Sequence, residues 1–550
     1  MARSGRRRVE PPARDPGRAG RDTVRRAARR SIGVNGAEAL VETLRLAGLQ
    51  VCFTNPGSSE LELLAAGLSS ELHTVLCLEE GIATGAADGF ARMSGVPAAT
   101  LLHQGPGLAN GLANLHNAKR ALSPVVNLVG ASATTHHELD GPLECDIEIL
   151  AGPMSGWVRT VRDARLITAD TRAAIVAAHL PTPGVATLIV PSDLAAAPSG
   201  GAVWDAPGLR LPAPSSNGVD ELIPLLHNGS GDDVTVLLGG TALDRHGLSV
   251  AAQVCRTLGW RPVAEAFPRL LAGGPDSLFL TRLAADPAVA RRQLAGTRHL
   301  VLAGARLPVT AFAQQGAPGT LAPADCRIWS LAAPNEDATA ALLQLADASR
   351  RSSSQYDAPT RSARRPPLAL PTVAKPLTTE LLATVVAMML PENAVVVDET
   401  NSSGPEFAAA LREAPPHDLL TGCGFAIGQG LPLAVGAAIA VPDRRVVCLE
   451  SDGSAMYALA AFWSQAHEDL NVTTIILNNR GYGILRRIAP APTTGFFDLS
   501  APEIDYVSVA AGLGVPGARV RTTAELRTQL GRALTHPGPY LIDAELLTIS

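Results

Sequence analysis

The chain has 550 residues, more than one hydrophobic core organises, and its 46% hydrophobic and 18% charged residues are an ordinary globular balance. A net charge of −5 hides an asymmetry: the first 30 residues carry eleven Arg against three acids, a local +8, which leaves about −13 on the rest. Such a body repels nucleic-acid phosphates, and the absence of any run of roughly 18 apolar residues excludes a membrane-spanning helix, so neither partner is expected.

Residues 1–33 read as a disordered Arg-rich tail. The tail has no apolar h-region, so it is not a secretory signal; a solvated tail or over-extended reading frame is expected, ahead of a nucleic-acid arm or targeting peptide. Residues 37–49 read as an amphipathic helix and 51–57 as a strand ending in a turn. Residues 98–107 read as a strand and Gly-rich loop, 124–130 as a strand, and 185–193 as the strand closing a first domain over 34–195. A second domain over 215–348 opens at residues 233–240 and continues through 299–307. Residues 349–375 are polar, basic and Pro-rich, a linker by composition. A third domain over 376–550 has strands at 394–400, 444–451 and 471–479. Continuous apolar strands alternating with helices predict an α/β class: three consecutive doubly wound parallel-sheet domains. The seven scattered Cys include no CxxC, which predicts reduced, buried thiols in a cytoplasmic protein.

The sharpest feature lies at 451–483. A strand ends at Ser451, Asp452-Gly453-Ser454 makes the turn, a helix of about four turns is expected, and a second strand ends at Asn478-Asn479. The right-handed crossover of one βαβ unit brings both strand ends to one sheet edge. There a carboxylate, an amide oxygen and a main-chain carbonyl suit Mg²⁺, and the N–H groups of Gly453 and Ser454 suit an anion. Either piece alone is better read as a helix cap or a polar strand end.

The spacing of Asp452-Gly453-Ser454 and Asn478-Asn479 resembles the thiamine diphosphate motif of the acetolactate synthase and benzoylformate decarboxylase family, and the resemblance covers residues 34–550. It implies Asp452, the Asn479 side chain and the Gly481 carbonyl as metal ligands; the family usually has Gly where this chain has Ser451. It places Asn401 and Ser402 on the diphosphate loop, the Phe425 carbonyl against the coenzyme's 4′-amino group, and Ile427 beneath its thiazolium. It implies three domains, for pyrimidine, central and diphosphate roles. It also implies a homodimer or homotetramer whose site lies between two chains.

Residues 75–95 run from an apolar strand into Glu79-Glu80 and a small-residue helix. Glu79 reads as a first-turn acid favoured by the helix dipole. Glu80 matches the family's coenzyme-activating glutamate. Residues 54–60 and 101–124 align better with benzoylformate decarboxylase, which places Ser58 on its substrate-contacting Ser and His103 on a proton-shuttling His. His116, His136, His137 and His467 find no such match, and for the second shuttling His the middle domain offers only Arg269.

Acetolactate synthase fits in length and order, yet Pro142, Leu143, Gly156 and Ile488 replace its substrate residues, and residues 303–309 replace its FAD-associated segment. FAD is therefore not expected. The leading expectation is a thiamine diphosphate- and Mg²⁺-dependent carboligase that condenses 2-oxo acids, such as pyruvate to 2-acetolactate and CO₂; the alternative is a non-ligating decarboxylase. A nucleotide-dependent oxidoreductase is remoter, since no strand–GxGxxG–helix is evident. A non-catalytic subunit need not keep Glu80, Asp452 and Asn479.

Overall fold

The computed structural model describes residues 33–547 apart from 203, 205–209, 216, 229–232, 278–279, 313–315, 353–367 and 370–372. The Arg-rich tail and most of the expected linker lie outside the described residues.

The first sheet holds β1 (Val51–Asn55), β2 (His73–Leu76), β3 (Ala98–Leu102), β4 (Val125–Ala131), β5 (Trp157–Thr160) and β6 (Val185–Pro191) in the order β2-β1-β3-β4-β6-β5, all parallel. β3, β4 and β6 are apolar runs covered on both faces, as parallel strands must be. The second sheet, also parallel, is built from β7 (Val234–Leu238), β8 (Arg261–Ala264), β10 (Thr281–Arg282), β11 (His299–Ala303) and β12 (Arg327–Ala332) in the order β10-β8-β7-β11-β12. The third holds β13 (Ala394–Glu399), β14 (His417–Thr421), β15 (Val446–Ser451), β16 (Val472–Asn478), β17 (Gly517–Val520) and β18 (Tyr540–Glu545). Its outer strand is β9 (Leu271–Gly273), which comes from the middle of the chain and pairs antiparallel with β14. Three residues carry too little periodicity to reveal such a strand.

Each sheet contains a point at which the strand order reverses. The chain goes from β1 to β2 on one side and returns to β3 on the other; β13, β14 and β15 repeat the pattern. Open α/β sheets bind ligands outside the carboxyl ends of strands at such switch points. The loops after β1 and β3 hold the turn at Ser58 and His103; those after β13 and β15 hold Asn401 and Asp452.

The first and third sheets share one apolar cluster. At its centre the helix Glu80–Ser94 crosses the helix Gly430–Ala440. At Gly89 a Cβ would drive into the Leu433 carbonyl, and at Gly436 into that of Ala86, so the crossing needs glycine. Beside it the Asp88 carboxylate accepts from Arg92 Nε (2.7 Å), Arg92 Nη2 (2.5 Å), Gln429 Nε2 (2.5 Å) and Ser123 Oγ, which ties the two domains together.

Two expectations are corrected. Residues 104–107 are not a loop but the first turn of the helix Gln104–Ala121, where Pro106 gives up no needed donor and Gly107 N donates to the His103 carbonyl (2.8 Å). The four-turn helix after β15 is broken into Asp452–Ala455 and Ala461–His467. Between them successive i→i+3 bonds tighten the chain, and Tyr457 packs close against Gly428. All seven Cys are free; Cys52, Cys77, Cys255 and Cys448 are buried, whereas Cys145 is exposed. Among the described residues no helix is long and apolar enough to cross a membrane.

Candidate active site

β15 and β16 are adjacent, with Ser451 opposite Leu477, so Asp452 and Asn479 emerge side by side. The Asp452 carboxylate is almost fully buried and accepts from Gly453 N (2.9 Å) and Gly481 N (3.0 Å). Burial pushes its pKa up to about 6, against the pull of those two N–H groups. The Asn479 Oδ1 is buried with no hydrogen-bond partner among the described residues. An orphaned buried acceptor beside a buried carboxylate calls for a group outside the chain. That hard-oxygen pair fits a Mg²⁺ ion. The Gly481 carbonyl accepts from Gly483 N (2.9 Å) and keeps a second lone pair. Tyr506, a residue that sequence reasoning missed, donates its hydroxyl to the Asp452 carbonyl (2.9 Å) and fixes the turn from below.

Beside this pair, Asn401 adopts φ +48° and donates from Nδ2 to Ser451 Oγ and Ser454 Oγ, both at 2.7 Å. Ser451 Oγ also reaches the Glu399 carbonyl (3.1 Å), so the departure from Gly at this position places a working hydroxyl in the loop network. Ser402 lies against Gly483. The Gly453 N–H, expected to face an anion, donates to Asp452 Oδ1.

On the first domain, Glu79, expected as a first-turn acid, is the N-cap of the helix Glu80–Ser94, accepting from Gly81 N (2.8 Å) and Ile82 N (3.0 Å). Glu80 is 7% exposed and accepts from Asn110 Nδ2 (3.0 Å). His103 Nδ1 lies 2.8 Å from Glu60 Oε2 and 3.3 Å from Ser59 Oγ. Glu60 is completely buried and also accepts from Gly57 N and Ser59 Oγ, each at 2.8 Å. Ser58 sits exposed on the same turn, with no side-chain hydrogen bond among the described residues; its neighbour Ser59 makes the contact to His103.

The segment 34–149 matches the model of the thiamine pyrophosphate enzyme N-terminal TPP binding domain, and 403–544 matches that of the C-terminal TPP binding domain. A Mycobacterium tuberculosis protein, provisionally named acetolactate synthase large subunit IlvX, is 46% identical over 93% of this chain and 98% of its own. The chain belongs to the thiamine pyrophosphate enzyme family. Benzoylformate decarboxylase of Pseudomonas aeruginosa is 31% identical over 92% of this chain and 98% of its own. The solved thiamine diphosphate-dependent 4-hydroxybenzoylformate decarboxylase of Rhodococcus jostii superposes with a TM-score of 0.81 at 26% identity, covering 94% of this chain and all of that one.

In this thiamine pyrophosphate enzyme the predicted residues fall into two groups. Asp452, Asn479, Gly481, Gly453, Ser454, Asn401 and Ser402 gather at the third sheet's edge, and Glu80, His103 and Ser58 at the first's. Within the single chain no hydrogen bond or ion pair among the described residues joins Glu80 or His103 to Asp452 or Asn479. Phe425 and Ile427 lie in the loop between β14 and the helix Gly430–Ala440; Phe425 has φ +64° and packs edge-on against Phe267. Sequence reasoning also missed Glu60, though it ends the matched segment 54–60, and His116, whose partner is a backbone carbonyl distant in sequence.

Proposed function

We propose that this enzyme decarboxylates a 2-oxo acid with thiamine diphosphate and Mg²⁺ and releases an aldehyde. Residues 376–550 would hold the diphosphate and metal, through Asp452, Asn479, the Gly481 carbonyl, Asn401, Ser402 and Ser454; residues 34–195 of a second copy would hold the pyrimidine. When bound, the coenzyme supplies the nucleophilic carbon and the electron sink for loss of CO₂. Glu80, oriented by Asn110, would exchange a proton with the pyrimidine nitrogen. The Phe425 carbonyl would receive the 4′-amino group, and Ile427 would support the ring from beneath.

The observation that carries the choice of aldehyde release is the Glu60–His103 pair. A buried carboxylate on Nδ1 fixes the ring and its tautomer and leaves Nε2, which has no partner among the described residues, as the nitrogen that takes up a proton and passes it on. Carboligation is the second reading, favoured by the 46% identity to the provisionally named acetolactate synthase subunit.

The test removes metal with chelator and restores Mg²⁺ and thiamine diphosphate singly and together. CO₂ release from a panel of aliphatic and aromatic 2-oxo acids should depend on both. Aldehyde as the main product supports the first reading, and an acyloin or acetolactate supports the second; no release under any condition overturns both.

A further inference from the structure

The loop 421–430 has little regular structure, yet its polar backbone groups end on side chains from elsewhere. Arg92 Nη1 donates to the Thr421 carbonyl (2.7 Å), and His116 Nε2 lies 3.0 Å from that of Gly424. Asn117 donates from Nδ2 to the Ala426 carbonyl (2.9 Å), while Ala426 N donates back to Asn117 Oδ1 (3.2 Å). Glu399 accepts from Gly428 N (2.8 Å) and Gly430 N. Three of these four holders stand on helices of the first domain.

The Asn117 contact is the most selective. A primary amide carries a donor and an acceptor in one fork, and here the fork pairs with both backbone groups of a single residue. Asn117 has no exposed surface, and Asn114 Oδ1 accepts its second amide hydrogen (2.9 Å). Gly424 lies so close to it that a Cβ there would strike Asn117 Oδ1. Between the gripped residues stands Phe425 at φ +64°, a conformation that bulky residues keep only when their surroundings impose it.

We propose that Asn117 is a positioning residue that holds residues 424–427 in coenzyme-binding shape from the chain's own first domain. The proposal rests on the reading above that the Phe425 carbonyl and the Ile427 side chain meet the coenzyme. Asn110, two turns earlier on the same helix, holds Glu80. If the site forms between two chains, this one helix serves two sites: Glu80 acts in the partner's, and Asn117 shapes its own.

The apo wild type, Asn117→Ala, Asn117→Asp and His116→Phe are titrated with thiamine diphosphate at saturating Mg²⁺, and the apo melting midpoint of each is recorded. Asn117→Ala should bind the coenzyme at least tenfold more weakly. Asn117→Asp keeps the acceptor and loses the donor, so it should also bind more weakly, and His116→Phe should lose a smaller factor. At saturating coenzyme the KM for a 2-oxo acid should stay that of the wild type. A purely structural role would lower the apo midpoint and leave affinity intact, and that result overturns the proposal. Should Asn117→Ala fail to fold, wild-type affinity in Asn117→Asp and His116→Phe would overturn it equally. A wild type that binds no thiamine diphosphate sinks the functional reading instead.

Discussion

The Glu60 carboxylate stands 2.8 Å behind Nδ1 of His103, and neither residue could have been paired with the other from sequence spacing alone. Forty-three positions separate them, but they flank the switch point between β1 and β3, where two loops must converge. A carboxylate so placed dictates which imidazole nitrogen carries the exchangeable proton.

The first prediction follows from that geometry. His103→Ala should lower kcat for aldehyde release by roughly 10²–10⁴, the range typical of a lost general acid. Glu60→Gln should cost about 10–100-fold, comparable to losing an orienting partner of a histidine. Neither change touches the residues assigned to the metal or diphosphate, so coenzyme affinity should hold. Wild-type aldehyde release from Glu60→Gln would show that the pair is a structural contact only.

Asn479 yields a prediction with two opposed readouts. Its Oδ1 is buried and unpartnered among the described residues, which costs the apo chain roughly 1–3 kcal/mol of desolvation. Asn479→Ala removes that orphan, so apo stability in urea should hold or rise. Mg²⁺-dependent coenzyme binding should weaken at least tenfold, because the ion loses one of its oxygen donors. Destabilised apo protein with undiminished Mg²⁺ dependence would mean that Asn479 serves the fold and not a cation.

The tie between domains can be tested at Asp88. Its carboxylate collects four donors from Arg92, Gln429 and Ser123, and the side chains of Asp88 and Arg92 are wholly buried. Removing one member of a buried pair leaves the other charge unpaired, at about 3–5 kcal/mol. Asp88→Ala should lower stability by that order in chemical denaturation, and Gln429→Ala by about 1–2 kcal/mol, the scale of one hydrogen bond to a charged group. An Asp88→Ala chain as stable as the wild type would mean that the Asp88 carboxylate does not hold the seam.

Legibility followed the length scale of each signal. Long apolar strands such as Val472–Asn478 show themselves, because burial on both faces demands an unbroken hydrophobic run. Asp452 and Asn479 could be brought together on paper because one crossover of fixed hand joins their strands. The break between Asp452–Ala455 and Ala461–His467 was not visible, since it answers to Tyr457 meeting Gly428 from another segment. The Asn117–Ala426 pairing stayed hidden for the same reason: its partner is a backbone group, and every residue has one. Glu60 reads locally as the closing acid of a turn, and only the fold sets His103 beside it.

The last prediction concerns pH. Glu265 follows β8 in the middle domain, and burial pushes its carboxyl from the usual 4.5 up to about 7, although Arg306 and Arg269 pull the other way. With the folded value above the unfolded one, the native chain keeps a proton that the unfolded chain releases. Stability should therefore fall as pH rises between about 4.5 and 7, stay level above that window, and carry no contribution below it. Glu265→Gln keeps an acceptor for the Gly240 N–H and cannot ionise, so the fall should vanish. At pH 8 the variant should exceed the wild type by at most about 3 kcal/mol in urea denaturation, and near pH 4 the two should coincide. If the variant is instead weaker at pH 8, the attraction of Arg306 and Arg269 for Glu265 outweighs its burial, and the carboxyl is held ionised rather than protonated.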